Sequence, residues 1–409
     1  MGASKLLGYG VSTAFLPLTR HKGINVTSLD VKTETEVALP ASSTSDSPPT
    51  STTAQTSSKI LYALAEGEKT AGKKARSTIA VARETKKLER YSRERLFTWP
   101  LLIGVLITLV LITASLLIGV YDIFHASDGL QMFFLTRVPR TISLVLAGAG
   151  MAMSGLVMQL ITQNRFVEPT TVGTTEWAGL GLLFVLIITP AAPIWLKMLL
   201  AIGFAFAGTL VFFAFLQRVT LRSSVIVPIV GMMLGSVVGA FSTMIALSTD
   251  LSQTMTIWFT GTFSAAIQGQ YEPIWFLVIM VVAVFICADR FTVAGLGEDV
   301  ATNVGLNYRR VVLLGNFLIA LIAGTVTVVI GNLPFLGLIV PNLVALIRGD
   351  DLRSNLPWVA LGGIWVVTIC DLIGRTLIMP YEIPASSILS IVGAFIFVVL
   401  LLRQRRKRR

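Results

Sequence analysis

Charge and reactive side chains are scarce in this chain of 409 residues. Only 13% of the residues are charged, whereas soluble domains carry about 25%, which argues against a water-soluble protein. The only histidines are His21 and His125, and the only cysteines are Cys287 and Cys370. These positions match no disulfide framework and no metal-site spacing. The sequence therefore predicts no metal site, no catalytic centre and no enzymatic activity.

Long apolar runs are what the sequence does contain. Hydrophobic residues make up 54% of the chain and are concentrated after Pro100, in runs long enough to cross a hydrocarbon core that needs about 20 helical residues. The predicted fold class is therefore all-α integral membrane, with about ten transmembrane helices. The predicted spans are 100–120, 138–162, 172–190, 193–216, 224–247, 272–289, 310–331, 335–348, 356–377 and 386–402.

Basic residues collect at both ends of the apolar region. Arg90, Arg93 and Arg95 precede the first span. Six basic residues follow the last one, namely Arg403, Arg405, Arg406, Lys407, Arg408 and Arg409. Because Lys and Arg accumulate beside cytoplasmic helix ends, both termini are predicted to be cytoplasmic, which requires an even number of crossings. This pattern explains the net charge of +11 better than nucleic-acid binding does.

Residues 1–95 have a different composition from the rest of the chain. They are rich in Ser and Thr over Ser42–Thr56 and charged over Ser58–Arg95, so they are predicted to be a disordered polar and basic extension. The segment Gly67–Lys74 matches the phosphate-loop pattern except at Lys74, where a Ser or Thr is needed for magnesium. We therefore expect that this segment is not a phosphate loop and that the chain itself hydrolyses nothing.

Two stretches interrupt the helical pattern, Asn164–Gly173 and Gly331–Gly337. Irregular backbone at membrane depth is tolerated only where protein or a water-filled cavity surrounds it. The two stretches are thus either walls of a translocation path or short connections between helices. The path candidates are Asn164, Pro169, Glu176, Asn332, Pro334 and Pro341.

Glu176 differs from the other path candidates because it is ionisable. A carboxylate near the membrane is costly and suggests a function. It is predicted near the cytoplasmic end of its span, where hydration or a structural contact is the alternative. Small residues in the second span, Ala147–Gly150 and Ser154–Gly155, predict close helix packing.

Several segments of the apolar region form a recognisable pattern, namely Arg137–Thr141, Leu146–Ala149, Met153–Gln159, Asn164–Pro169, Gly295–Leu306, Phe335–Asn342, Asp371–Thr376 and Glu382–Pro384. Together these segments resemble the permease subunits of iron-siderophore and cobalamin ABC importers. The resemblance covers residues 96–409 and implies the type II ABC importer architecture with ten spans. It also implies a second permease subunit, identical or paralogous, two ATPase subunits that use ATP and magnesium, and an extracytoplasmic siderophore-binding protein.

The resemblance also suggests roles for particular residues. Arg137, Arg140 and Arg375 would contact carboxylates of the docked binding protein, the alternative being a pair with Asp371 or lipid headgroups. A short helix between the sixth and seventh spans would couple to the ATPases, the alternative being a solvated loop. Its predicted coupling residues are Leu296, Gly297, Glu298, Asp299, Asn303 and Gly305.

The cargo is suggested by the run Thr170–Trp177, which looks closer to permeases of ferric catecholate siderophores than to cobalamin permeases. The expected function is ferric siderophore import across the cytoplasmic membrane. One alternative is a cobalamin or haem importer permease of the same family. Another is an ion-coupled secondary transporter, for which Glu176 and Asp371 are the main ionisable groups within the spans.

Overall fold

The computed structural model of the chain describes residues 99–119, 128–218, 226–349 and 352–407. The extension 1–95, with its incomplete phosphate-loop pattern and the arginines before the first span, lies outside the described residues. So do the side chains of the basic residues after the last span.

The described residues form helices and connecting turns, without a β-strand. The helices are α1 (Trp99–Leu117), α2 (Val138–Ile161), α3 (Thr174–Ile188), α4 (Ile194–Arg218), α5 (Ile226–Ser248), α6 (Ser252–Phe259), α7 (Phe276–Ala294), α8 (Glu298–Asn303), α9 (Tyr308–Val329), α10 (Leu336–Arg348), α11 (Leu352–Thr376) and α12 (Ala385–Lys407). Helical turns at Gly129–Met132 and Phe133–Arg137 lead into α2. The all-α membrane fold predicted from the apolar runs is confirmed.

Each predicted span coincides with one helix, but two of these helices are short. Eight helices among the described residues are long and apolar enough to cross a membrane. By contrast, α3 has 15 residues and α10 has 13, which gives lengths of only about 20–22 Å at a rise of 1.5 Å per residue. A hydrocarbon core is about 30 Å thick. The two short helices are those that follow the two predicted interruptions.

The centre of the bundle is formed by α2 and α9, whose residues are mostly buried, whereas α1 and α5 keep most of their surface exposed. Glycine allows the close packing around α2. A Cβ atom on Gly148 would lie 2.8 Å from the carbonyl oxygen of Gly363 on α11, and one on Gly155 would overlap the backbone of Gly337 on α10. The tight packing predicted from small residues is therefore confirmed.

Candidate functional site

The two interruptions of the helical pattern meet inside the bundle at Glu168. This residue lies in the loop between α2 and α3 and is completely buried. Its carboxylate accepts hydrogen bonds from the backbone N–H groups of Phe335 at 2.8 Å and Leu338 at 3.0 Å. These groups belong to the first turn of α10, where unpaired N–H groups and the helix dipole both favour a negative charge. Glu168 is therefore the N-terminal cap of α10.

The cap is supplied from a distant part of the chain because α10 begins deep in the bundle. Gly337 packs on Gly155, which lies six residues before the end of α2, or about 9 Å along the helix axis. Water is scarce at that depth, so the first N–H groups of α10 need a protein partner. The hydroxyl of Thr170 donates to the same carboxylate at 2.5 Å and helps to hold it in place.

A second set of hydrogen bonds between the loop, α2 and α10 lies near Pro341, which is inside α10. Proline has no N–H group, so the carbonyl of Gly337 one turn earlier loses its helical partner. The side chain of Gln159 on α2 donates to that carbonyl at 3.1 Å. Asn342 donates to the carbonyl of Arg165 in the loop at 2.8 Å. We name the loop 162–173, Gln159 and the first two turns of α10 the re-entrant junction.

The re-entrant junction brings together three of the predicted path residues. Asn164 and Pro169 are buried in the loop, and Pro341 is buried in α10. Asn332 and Pro334 lie in the segment that leads into α10 and are half-buried. Their part in a translocation path stays a prediction, whereas the two interruptions are shown to be one connected structure.

Glu176, in the first turn of α3, lies beside the middle of α5, where it approaches Gly235 and Gly239. Gly173 packs against Gly235, which is nine residues beyond the start of α5, or about 14 Å along that helix. The loop 162–173 has thus entered the bundle before α3 begins. The position of Glu176 near the cytoplasmic end of its span, and its part in a translocation path, stay predictions.

The arginines predicted at the outer mouth, Arg137, Arg140 and Arg375, lie close together with Asp371 and Glu382. We name these five residues the outer arginine cluster. Arg140 pairs with Asp371 at 2.8 Å and with Glu382 at 3.0 Å. Arg375 pairs with Asp371 at 2.6 Å and also donates to the carbonyl of Ser115 at 3.1 Å. Burial raises the pKa of Glu382, whereas a hydrogen bond from the hydroxyl of Ser264 and the charge of Arg140 lower it. The lowering effects together are larger, so the pKa of Glu382 lies below its ordinary value. Glu382 therefore stays ionised near neutral pH.

The remaining arginine of this cluster, Arg137, donates to the carbonyls of Leu116 and Leu117 at the end of α1. Arg137 is 7% exposed and Arg375 is 3% exposed, so both guanidinium groups bond mainly within the chain. Arg140 and Arg375 both pair with Asp371, which was the predicted alternative to contact with a binding protein. Docking of a binding protein stays a prediction, and it rests now on the rim formed by Arg140 and Glu382.

The predicted coupling segment forms the short helix α8 between two glycines with positive φ, Gly297 at 108° and Gly305 at 87°. Ala301 is buried and anchors the helix. Leu296, Glu298, Asp299 and Asn303 are exposed, as are Val300 and Val304, which the sequence reasoning did not select. Exposed valines beside carboxylates are better suited to contact with a protein partner than to contact with water.

Sequence reasoning also passed over Glu168 and Gln159, although both lie in segments that carried the family resemblance. One signal was present in the sequence. A glutamate flanked by apolar residues and followed by proline, in a loop between two apolar runs, is costly unless its charge has a partner. The identity of that partner, 167 residues away, has no local signal.

Comparison with known proteins adds to this geometry. The FecCD transport family profile matches residues 101–403. The petrobactin import permease FatD of Bacillus anthracis is 55% identical over 319 residues, which cover 78% of this chain and 96% of that protein. The petrobactin import permease YclN of Bacillus subtilis is 42% identical, covering 73% and 97%. The vitamin B12 import permease BtuC of an Escherichia coli strain is 29% identical, covering 78% and 99%.

One solved structure supports the fold. A metal-chelate type ABC transporter in an inward-facing conformation matches with a TM-score of 0.63 and 24% sequence identity, covering 75% of this chain and 99% of that one. At this identity the likeness concerns the arrangement of helices and not the cargo.

Proposed function

This chain belongs to the FecCD transport family, and from that membership we propose that it is the permease subunit of an ABC importer for a ferric siderophore. The observation that carries the proposal is the 55% identity to a petrobactin import permease over 96% of its length. Identity falls to 29% for a vitamin B12 permease. The proposed cargo is therefore a siderophore, and more narrowly one of the petrobactin kind.

The proposed membrane arrangement has ten crossings and both termini in the cytoplasm. It is supported by the opposite positions of α8 and the outer arginine cluster. Arg353, near the start of α11, pairs with Asp289 near the end of α7 at 3.3 Å, so that end of α11 lies on the side of α8. Arg375 lies 22 residues further along the same helix, a distance of about 33 Å, which exceeds the thickness of a hydrocarbon core.

In this proposal the permease forms part of the transport path, and its partners hydrolyse ATP, deliver the siderophore and complete the path. Two ABC ATPase subunits bind ATP and magnesium and engage α8 on the cytoplasmic side. A siderophore-binding protein docks at the opposite end, and a second permease, identical or paralogous, completes the path. The likeness of the chain to subunits of import systems supports this assembly.

An ion-coupled secondary transporter is the less favoured alternative. Such a transporter needs ionisable groups that take up and release ions within the membrane. Asp371 is 2% exposed and paired with both Arg140 and Arg375, so its charge is already neutralised within the chain. Glu168 is bound to the N–H groups at the start of α10, so Glu176 would have to serve as the relay.

The test of the proposed function is purification of the tagged, full-length chain together with its bound subunits, followed by ATPase measurement in lipid. We expect an ABC ATPase to co-purify, and we expect hydrolysis to rise when a binding protein loaded with ferric petrobactin is added. The iron-free binding protein is the control. A stably folded chain that carries no ATPase would contradict the proposal.

Neutralising two exposed carboxylates of α8 is expected to uncouple ATP hydrolysis from transport. In the variant Glu298→Gln with Asp299→Asn, we expect siderophore uptake to fall about tenfold, which corresponds to about 1.4 kcal/mol of interface free energy, while ATP hydrolysis continues. The amide side chains keep the size of the originals, so the expected change comes from charge at the partner interface.

Uptake and hydrolysis are measured on the same proteoliposomes. The matched control is Glu272→Gln, an exposed glutamate before α7 and hence at the opposite end of that helix from α8, which should leave both rates unchanged. Uptake at the wild-type rate in the α8 variant would show that these carboxylates take no part in coupling.

A further inference from the structure

A cavity of about 530 Å³ lies between α3, α5 and α6, apart from the re-entrant junction and the outer arginine cluster. Its lining combines one carboxylate, several hydroxyl groups and apolar side chains. These groups belong to Glu176, Ser242, Thr243, Met255, Thr256 and Phe259. Thr243 and Thr256 are exposed and mark the side on which the cavity opens.

The carboxylate of Glu176 is accommodated by two glycines of α5. A Cβ atom on Gly235 would lie 3.6 Å from Oε2 of Glu176, and one on Gly239 would lie 4.0 Å from its Cγ. The hydroxyl of Thr175 donates to Oε2 at 3.0 Å. Within the described ranges, no Lys or Arg forms an ion pair with Glu176. The carboxyl group of Glu176 thus faces the cavity beside the middle of α5 without a paired cation from the described part of the chain.

Ser242 provides a second, independent sign of a ligand. Its side chain is 9% exposed and lines the same cavity, and its Oγ has no hydrogen-bond partner in the described part of the chain. The neighbouring hydroxyls have donor partners, since Thr243 donates to the carbonyl of Gly239 and Thr256 to that of Ser252. A buried hydroxyl without a partner is destabilising, and a ligand with hydrogen-bonding groups would remove that cost.

We propose that Glu176 and Ser242 bind a protonated amine of the siderophore as it passes through the permease. This inference rests on the proposed function. A carboxylate in an apolar surrounding attracts a cation strongly, and the hydroxyl oxygen of Ser242 accepts a further N–H bond. The cavity is of the size that holds part of an organic ligand.

The remaining walls favour an alkylammonium group over an inorganic ion. Met255 is buried beside the cavity, and the ring of Phe259 lines it. Such walls suit the methylene groups next to an amine, and an aromatic face attracts the ammonium itself. A bare monovalent ion needs oxygen ligands on most sides, and the side chains of Met255 and Phe259 supply none.

The experiment compares two cargoes in the complete transporter, reconstituted with its ATPase and binding protein. One is a ferric siderophore with a protonated amine in its backbone, and the other is the same siderophore with that amine acetylated. Uptake by each variant is divided by wild-type uptake of the same cargo, which removes any preference of the binding protein. Glu176→Gln is expected to lower uptake of the amine cargo about tenfold and to leave uptake of the acetylated cargo unchanged.

A second variant and a matched control separate binding from folding. Ser242→Ala should lower uptake of the amine cargo about threefold and spare the acetylated cargo. Ser236→Ala lies on the same helix, and its exposed hydroxyl donates to the carbonyl of Met232, so it should change neither. Melting temperatures of all variants are measured in the same detergent.

Three results would overturn the proposal. An equal loss of both cargoes in Glu176→Gln and Ser242→Ala would show a structural role. A loss that follows the concentration of Na⁺ or K⁺ and not the amine would assign the site to an inorganic cation. Wild-type transporter that moves neither ferric cargo would refute the proposed function, and the inference with it.

Discussion

Replacing Glu168 by alanine is expected to lower the free energy of unfolding by about 2–4 kcal/mol. The change leaves the N–H group of Phe335 without its acceptor in the bundle, and such an unsatisfied buried group costs about 1–3 kcal/mol. The N–H group of Leu338 keeps only its longer bond to the carbonyl of Phe335 at 3.2 Å. The loss of a negative charge at the start of α10 adds to this. Thermal unfolding in detergent and the fraction of monodisperse protein measure the effect.

The control for this variant removes the same side chain from an exposed position. The carboxylate of Glu272 accepts a hydrogen bond from the N–H of Gly269 at 2.6 Å, but water can replace it there. Glu272→Ala should therefore melt close to the wild type, and Glu168→Gln, which keeps one acceptor oxygen, should melt between the two. Equal melting temperatures for Glu168→Ala and Glu272→Ala would show that α10 does not depend on its cap.

Replacing Gly155 by alanine is expected to separate α2 from α10. The added Cβ would overlap the backbone of Gly337, and a backbone carbonyl cannot turn aside as a flexible side chain can. The Glu168 cap holds the same turn of α10 in place, so the overlap is relieved only by moving a whole helix. Overpacking of this kind costs about 1–3 kcal/mol or more, and we expect the upper end of that range together with loss of uptake.

Gly203 on α4 offers the matched control, because a Cβ atom there would meet no atom within 4 Å. Alanine is favoured over glycine inside a helix by about 0.5–1 kcal/mol, so Gly203→Ala should melt at or slightly above the wild-type temperature. If Gly155→Ala and Gly203→Ala have the same melting temperature, the close approach of α2 and α10 contributes nothing to stability.

The ion pairs of the outer arginine cluster show how far sequence reasoning reaches. Asp371 and Arg375 are four residues apart, so their pairing on one helix face was open to prediction from spacing alone. Arg140 pairs with the same aspartate across 231 residues of sequence, which no spacing indicates. The role proposed for the arginines came from resemblance, whereas their burial came from the packing of α1, α2 and α11.

The sequence by itself determined the membrane class, the positions of the helices and the family of this protein. Hydropathy and length are local properties, and a segment that is apolar over about 20 residues has few alternatives to a membrane helix. The tertiary structure alone decided that Glu168 caps α10, that Glu176 lies beside the middle of α5, and that Ser242 faces the same cavity. These depend on which distant segments meet and at what depth, since unpaired polar groups inside a bundle must take whatever partners the packing brings to them.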